Sequence, residues 1–448
     1  MISSEGSNAE LRLRIYAEPG EEFNSKNLKV KTEVVMKNPH VKVEKMGLPV
    51  GVKPWEPTLD ALRNDSRPFT DTKDLTLHLY TLPFPKGEQG DGGGGLTECL
   101  ISDVLKHKIL SVPGYGARVP KPAGTTYRVS EAAGKGLGVF ATRDIQMGEL
   151  IMAERPLMIT PVVMPSRCTS ELQGLSHNDF VQVKLHDAEK IFEWVVDRMT
   201  PENREALMAL TNSHSLEGGG PIIGRVKTNG FGESEIVDGP GAECQYSVLC
   251  DALSRLNHSC SPNTFRKWCG ASFSMQMRAA RDIKKDEEIT THYVDILHPA
   301  KGRKGQLAVY AVKCTCVVCA NPEISDPIRA KCLQHLQQIE RQDWQRDFDV
   351  PTSTNPKPLL GNLDMYVKSG VETTDVYGYC LFMLMKMYAA RGDIPTMRVY
   401  SEKYARWQSA RTGLVIPQEL IDKGFGMISV AEMVLRMKGK MKGKAKKI

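Results

Sequence analysis

The chain has 448 residues, 41% of them hydrophobic and 25% charged, with a formal net charge of +6. That length allows two or three domains and a sizeable core, in the composition range of ordinary globular chains. No run approaches ~18 uninterrupted apolar residues, which argues against a helical membrane span. The charge is localised. Arg436, Lys438, Lys440, Lys442, Lys444, Lys446 and Lys447 stand in residues 436–448 with no acid among them, and without those seven the rest of the chain stands at −1. The basicity therefore belongs to a tail: a solvated end, an import signal or a weak nucleic-acid contact. The N-terminal segment has no apolar core of signal-peptide type, so the expected location is the nucleus, the cytoplasm or both. Eleven cysteines, an odd count in such a chain, do not suggest a disulfide framework.

Residues 1–124 are poorly patterned and are expected to be a variable, partly disordered extension. The glycine-rich run at 88–95 is its most flexible part, and Leu75–Leu82 has the alternation of a strand or two. From Tyr127 onward short apolar stretches separated by glycine turns predict β-hairpins. Ala141–Ile151 (ATRDIQMGELI) is echoed by Ala279–Ile289 (AARDIKKDEEI). Phe273, Met275 and Met277 alternate just before the second copy, as in a half-buried strand. Two similar hairpins so far apart predict one mostly β domain with an insertion between them. The insertion reads as helical. Leu185, Ala188, Phe192, Val195 and Met199 recur at spacings of three and four, with Ile191 and Val196 on the same face. A second helix is predicted from Thr200 as N-cap, with Pro201 in its first position and Ala206, Leu207 and Leu210 facing inward. Beyond about residue 325 the pattern is helical throughout. Val376–Ala390 and Ile394–Ser409 form a predicted helical hairpin around Arg391-Gly392-Asp393, expected to pack on the β domain.

Four blocks carry candidate chemistry. Gly134-Lys135-Gly136-Leu137-Gly138 lets the backbone approach a ligand or take positive φ, or is simply a hairpin turn. It is not the dinucleotide fingerprint, because a hairpin and not a helix follows it. Ser254-Arg255-Leu256-Asn257-His258-Ser259-Cys260-Ser261-Pro262-Asn263 is dense in hydrogen-bonding side chains, suited to a zwitterionic ligand or to a satisfied buried turn. Glu287-Glu288-Ile289-Thr290-Thr291-His292-Tyr293 delivers a tyrosine at the end of a strand, either for packing or for catalysis. Cys314-x-Cys316-x-x-Cys319 has the spacing of a thiolate metal site, with free thiols or an iron–sulfur site as alternatives. Zinc prefers four ligands, and Cys260 is a candidate for the fourth.

Together these motifs resemble the SET-domain protein lysine methyltransferases, in the split-SET branch related to the SET-and-MYND proteins. The resemblance covers roughly residues 125–325 and is most specific in NHSCSPN, in EEITTHYVD and in the post-SET CTCVVC. It implies an α+β fold. A mostly β SET domain at 125–295 would carry a helical insertion at about 157–228. A zinc-bound post-SET segment at 296–325 and a helical region at 326–435 would follow. The implied activity is S-adenosylmethionine-dependent transfer of methyl groups to a lysine of a histone or another protein, without membrane association. Gly134, Lys135, Gly136, Leu137, Asn229, Ser254, Asn257, His258 and Tyr293 would contact the donor. Tyr293 would be the central catalytic residue, with Phe231 and Tyr310 lining the lysine channel. Cys260, Cys314, Cys316 and Cys319 would hold a structural zinc ion. An aromatic channel suits this chemistry, because desolvation disfavours the charged form of a lysine whose free pKa is ~10.4. Positioning then lines up the in-line displacement.

Some residues depart from the family pattern. The insertion holds only Cys168, too few thiols for a MYND module. Lys135 replaces a small polar residue, and Val312 stands where an aromatic is usual near the adenine. Asp286 replaces a turn glycine, though Asp tolerates left-handed backbone better than most residues. The alternative to an enzyme is a SET scaffold with weak or no turnover that acts as a protein-interaction module.

Overall fold

The computed structural model describes residues 9–16, 29–36, 48–49, 52–53, 77–83, 95–164, 167, 172–214, 220–239, 246–341 and 353–424. The basic tail, most of the 88–95 glycine run and Cys168 lie outside the described residues. Strands β1 (Ala9–Tyr16) and β2 (Lys29–Met36) pair antiparallel as a separate ribbon. The remaining strands are β3 (Leu77–Leu82), β4 (Thr97–Ser102), β5 (Tyr127–Ala132), β6 (Gly136–Ala141), β7 (Leu150–Glu154), β8 (Met158–Pro161), β9 (Phe231–Gly232), β10 (Tyr246–Leu249), β11 (Asn257–His258), β12 (Thr264–Cys269), β13 (Ser274–Ala279) and β14 (Glu288–Thr291). They form three sheets, ordered β3-β4-β8-β10-β9, β11-β14-β6-β5 and β12-β13-β7. With the helices, this is the expected α+β architecture.

The N-terminal region contributes more than the expected extension. Every residue of β4 is buried, and the strand pairs parallel with β8 at the centre of the five-stranded sheet. The helix Asp103–Leu110 follows, capped by the Ser102 hydroxyl, which accepts from the Leu105 N–H at 3.0 Å. A short strand buried on both faces has no polar/apolar alternation, so its sequence, TECLIS, does not announce itself. For the same reason β8 lies unannounced inside the span read as a helical insertion.

The insertion otherwise follows its periodicity. Helix His177–Asp197 buries Val183, Ala188, Ile191, Phe192, Val195 and Val196. Thr200 caps the next helix, Pro201–Met208, by accepting from the Asn203 N–H, with Pro201 in its first turn. Helix Ile223–Asn229 then leads into β9.

The two echoed segments face each other about an approximate two-fold axis. Ile145 and Ile283 exchange both backbone hydrogen bonds, at 2.8 and 2.9 Å. Arg143 pairs with Glu149 at 2.8 Å, and Arg281 with Glu287 at 2.7 Å. The Asp144 carboxylate accepts from the Lys285 N–H, and the Asp282 carboxylate from the Met147 N–H, each at 2.9 Å. At equivalent turn positions Gly148 has φ +91° and Asp286 φ +67°, so Asp286 does adopt the left-handed conformation. The repeat thus builds a symmetric clasp, in which each copy's turn is closed by an acid of the other.

After residue 322 the described chain is helical: Pro322–Arg341, Lys357–Lys368, Asp375–Ala390, Ile394–Thr412 and Gln418–Asp422. Gly392, with φ +72°, follows the end of Asp375–Ala390, and the Asp393 side chain caps the next helix by accepting from the Thr396 N–H. This region packs on the β domain through Phe265 against Trp407, with ring centroids 5.8 Å apart, and through Met147. Helix Ile394–Thr412 contacts both β12 and β13. Consequently β13 is buried on both faces, and not half-buried as its alternation suggests.

A candidate active site beside a candidate metal centre

Strand pairing brings three of the four motifs together. β11 runs parallel to β14, with Asn257 beside Thr290 and His258 beside Thr291. β14 in turn pairs antiparallel with β6, which starts in the Gly134–Gly138 turn. Gly134 and Gly136 take φ +71° and +76°, the left-handed region that favours glycine. Gly138 serves the other purpose, close approach: a Cβ there would meet Asn257 Nδ2 at 2.9 Å, Ala132 Cβ at 3.0 Å and Glu288 Oε1 at 3.1 Å. Asn257 Nδ2 donates to the Leu137 carbonyl at 3.0 Å and to Glu288 Oε1 at 2.8 Å. The other Glu288 oxygen pairs with Lys135 Nζ at 2.6 Å. Lys135, the departure noted in this turn, is therefore tied through Glu288 to Asn257.

Next to this cluster opens a cavity of about 850 Å³. Asn229, Phe231, Ser254, Leu256, Tyr293 and Tyr310 line it from the β domain and the segment that follows β14, while Thr374, Asp375 and Arg411 form the opposite wall. The Tyr293 and Tyr310 rings meet edge to face at 5.4 Å. Arg266 stacks its guanidinium over Phe231, 4.7 Å from the ring centre. The Tyr293 hydroxyl donates to the Leu256 carbonyl at 2.6 Å, so its oxygen is left with lone pairs to present as an acceptor. Burial, with the neighbouring Tyr310 and Glu288, pushes its pKa up to about 12, and the hydroxyl keeps its proton at neutral pH.

Three expected donor-contacting side chains are engaged elsewhere in this arrangement. Asn229 Nδ2 donates to the carbonyls of Thr211 and Arg225, at 2.7 and 2.8 Å, closing the insertion. The Ser254 hydroxyl donates to the Asn229 carbonyl at 3.2 Å and accepts from the Cys250 N–H. His258 Nδ1 accepts the Tyr293 N–H at 3.0 Å, which assigns the proton to Nε2, 3.3 Å from Cys260 Sγ. Burial lowers the His258 pKa to about 4, so the ring is neutral, as both contacts require. His258 thus braces the tyrosine strand against the cysteines, and its ring nitrogens have no capacity left for a ligand.

The fourth motif joins here. The Sγ atoms of Cys260, Cys314, Cys316 and Cys319 all lie within 4.8 Å of one another. A tetrahedral zinc–thiolate centre, with Zn–S ~2.3 Å, needs sulfurs about 3.8 Å apart, so the donor set fits without rearranging the backbone. Four thiols this close cannot ionise independently. Hydrogen bonds from Cys260 and Cys314 favour the Cys316 thiolate, while Cys260 and Cys314 are pushed up. A dication would relieve that conflict by favouring the thiolate form of all four.

Several residues that position the site were not singled out from the sequence. Asn263, 1% exposed, accepts from the Thr290 N–H at 2.8 Å and donates to the Glu288 carbonyl at 2.9 Å, locking the NHSCSPN turn to β14. Glu288 holds both Lys135 and Asn257. Asn263 and Glu288 stand inside quoted motifs, but their partners are set by strand pairing, which spacing does not reveal.

Residues 136–294 match the family model described as SET domain. The chain carries a SET domain. Histone-lysine N-methyltransferase set5 of Schizosaccharomyces pombe is 29% identical over 199 residues, 44% of this chain and 51% of that protein. N-lysine methyltransferase SMYD2 of Homo sapiens is 26% identical over 231 residues, 46% of this chain and 51% of that protein. The SET domain and MYND-type zinc finger protein 6 of S. pombe is 42% identical over 79 residues, 17% of this chain and 15% of that protein. The chain thus spans about half the length of the first two of these curated relatives. Among solved structures, Rubisco LSMT bound to AdoMet aligns over 77% of this chain and 92% of that chain, at 14% identity and a TM-score of 0.24. The SET domain match includes Phe231, Asn257, Cys260 and Tyr293, and ends before Tyr310 and the three clustered cysteines.

Proposed function

We propose that this chain is an S-adenosylmethionine-dependent protein lysine N-methyltransferase whose four-cysteine cluster holds a structural zinc ion. The observation that carries the proposal is the Tyr293 hydroxyl. It is fixed on the Leu256 carbonyl at 2.6 Å, in a cavity shared with Phe231 and Tyr310, beside the shoulder formed by Lys135, Leu137, Asn257 and Glu288. The names of the set5 and SMYD2 relatives point to the same reaction class.

S-adenosylmethionine would supply an electrophilic methyl group. The Gly134–Leu137 turn and Asn257 would hold it, with Asn229 and Ser254 contributing through the adjoining cavity wall. Phe231, Tyr293 and Tyr310 strip water from an entering lysine side chain, which favours the neutral amine over the ammonium. With its proton committed to Leu256, the Tyr293 oxygen accepts from an amine N–H and so orients the nitrogen lone pair. The Leu256 carbonyl and the tyrosine oxygen place negative partial charge where positive charge is carried by the reacting groups. A pKa near 12 makes Tyr293 an orienting group at neutral pH and not a general base. No covalent intermediate is required. The substrate is a lysine-bearing segment of a histone or another protein, entering between the SET domain and the helices that carry Thr374 and Arg411.

The test is transfer of a labelled methyl group from S-adenosylmethionine to core histones and to methyl-depleted cell lysate, for the zinc-loaded chain and for Tyr293→Phe. Label on a protein band that the variant fails to produce is the expected result. Donor binding without transfer to either acceptor would replace the enzyme reading with that of a binding scaffold.

A further inference from the structure

Arg303 and Arg329 are among the largest side chains that the described residues bury completely, each at 0% exposure. An arginine does not give up its proton in a protein, so both are buried cations. Such a charge is strongly unfavourable without a counter-charge. Arg329 has no carboxylate partner among the described residues. It donates instead to three carbonyls: Cys260 at 2.7 Å, Ile296 at 2.8 Å and Ser369 at 3.4 Å. Arg303 reaches one carboxylate, Asp326, at a long 3.7 Å. It also donates to the His298 carbonyl and to Cys319 Sγ, the latter at 3.7 Å, and interacts with the Cys260 side chain, while its buried Nε has no acceptor. What the two arginines share is the cysteine cluster. One touches the sulfur of Cys319 and the other holds the backbone of Cys260.

Four thiolates around one dication leave two negative charges in excess, and the two neighbouring guanidinium groups would balance them. We propose that Arg303 and Arg329 are the counter-ions of the metal centre, and that through Arg329 an occupied centre holds the C-terminal helical region against the SET domain. The mechanical link is direct. Arg329 belongs to helix Pro322–Arg341. One of its donors reaches Ser369, just past helix Lys357–Lys368, and the same carbonyl accepts from the Ser261 hydroxyl, next to Cys260. Thr374, Asp375 and Arg411, which wall the substrate cavity, follow on from this junction. Emptying the centre withdraws the anion from two buried cations and loosens the wall that faces Tyr293. Arg303 and Arg329 are positioning residues in this scheme, acting through the metal centre and not on a substrate.

The inference rests on the zinc reading, and the experiment separates the two. Zinc content of the full chain is measured by mass spectrometry, and zinc affinity by competition with a chromophoric chelator, for wild type, Arg303→Met, Arg329→Met and Arg329→Lys. Each methionine variant is expected to bind zinc at least about tenfold more weakly, with partial recovery in Arg329→Lys, which keeps the charge. Hydrogen exchange of the wild-type chain with and without zinc needs no variant to fold. Stripping the metal should speed exchange in residues 365–375 while β5–β8 stay protected. Absence of zinc from the wild-type chain would overturn the zinc reading and this inference with it. Bound zinc with affinity within twofold of wild type in both methionine variants, or unchanged exchange at 365–375, would overturn this inference alone.

Discussion

Replacing Asn263 with Ala should damage both stability and the proposed donor site. The Asn263 side chain is 1% exposed and makes four hydrogen bonds: from the Thr290 N–H at 2.8 Å and the Thr290 hydroxyl at 3.4 Å, to the Glu288 carbonyl at 2.9 Å and to Glu287 Oε1 at 3.2 Å. Alanine leaves the buried Thr290 N–H and the Glu288 carbonyl without their side-chain partner. An unsatisfied buried polar group costs roughly 1–3 kcal/mol, so the two backbone groups together give about 2–6 kcal/mol. For a cooperative unit the size of the SET domain, each kcal/mol lowers Tm by roughly 2–4 °C, and the expected drop is about 4–24 °C. Because Glu288 also holds Asn257 and Lys135, sinefungin binding measured by calorimetry below the lowered Tm should weaken as well. Asn263→Asp keeps the acceptor for Thr290 but sets a carboxylate oxygen against Glu287, and should be at least as destabilising at neutral pH. A drop of less than about 2 °C for Asn263→Ala, with unchanged sinefungin affinity, would refute the reasoning that this turn is locked by a single side chain.

Gly138→Ala should leave the fold intact and weaken sinefungin binding by about tenfold or more, because its Cβ displaces Asn257 Nδ2 from 2.9 Å. Normal affinity in a titration would remove Asn257 from the donor site. Cys260→Ser should release zinc and lower donor affinity together, since Cys260, His258 and Tyr293 are hydrogen-bonded in series; unchanged zinc content would show that Cys260 is no ligand. Burial alone would raise the carboxyls of Glu149 and Glu287, but their arginine partners and backbone N–H groups hold both below the ordinary value of 4.5. Their stabilisation is therefore complete above about pH 4.5 and is lost as the pH falls through the lower folded-state values. The double variant Glu149→Gln, Glu287→Gln should melt lower at pH 7 yet lose less Tm between pH 5 and 3 than the wild type. Equal slopes would dissociate the clasp acids from acid stability.

Much of this protein is readable without coordinates where local chemistry decides the outcome. Glycine density at 134–138 marks a turn because only glycine takes positive φ freely, and Gly134 and Gly136 do so. The Thr200-Pro201 start and the Gly392 stop of helices follow from backbone groups that need caps. The echo of 141–151 in 279–289 signals paired hairpins, because similar strands and turns build similar units. Close cysteine spacing marks a candidate metal site, because thiolates that near each other are favoured by a cation.

What the sequence could not decide is which distant groups meet. β4 and β8 are buried on both faces and so carry no alternation to betray them. Asn229 and His258 match donor-contacting positions by motif, while tertiary neighbours engage their side chains: two carbonyls of the insertion for one, Tyr293 and Cys260 for the other. Nor does the sequence single out Arg303 and Arg329, which are buried against the cysteine cluster. Hydrogen bonding and charge compensation are satisfied by whatever folding brings within about 3 Å, and only the tertiary structure supplies that list.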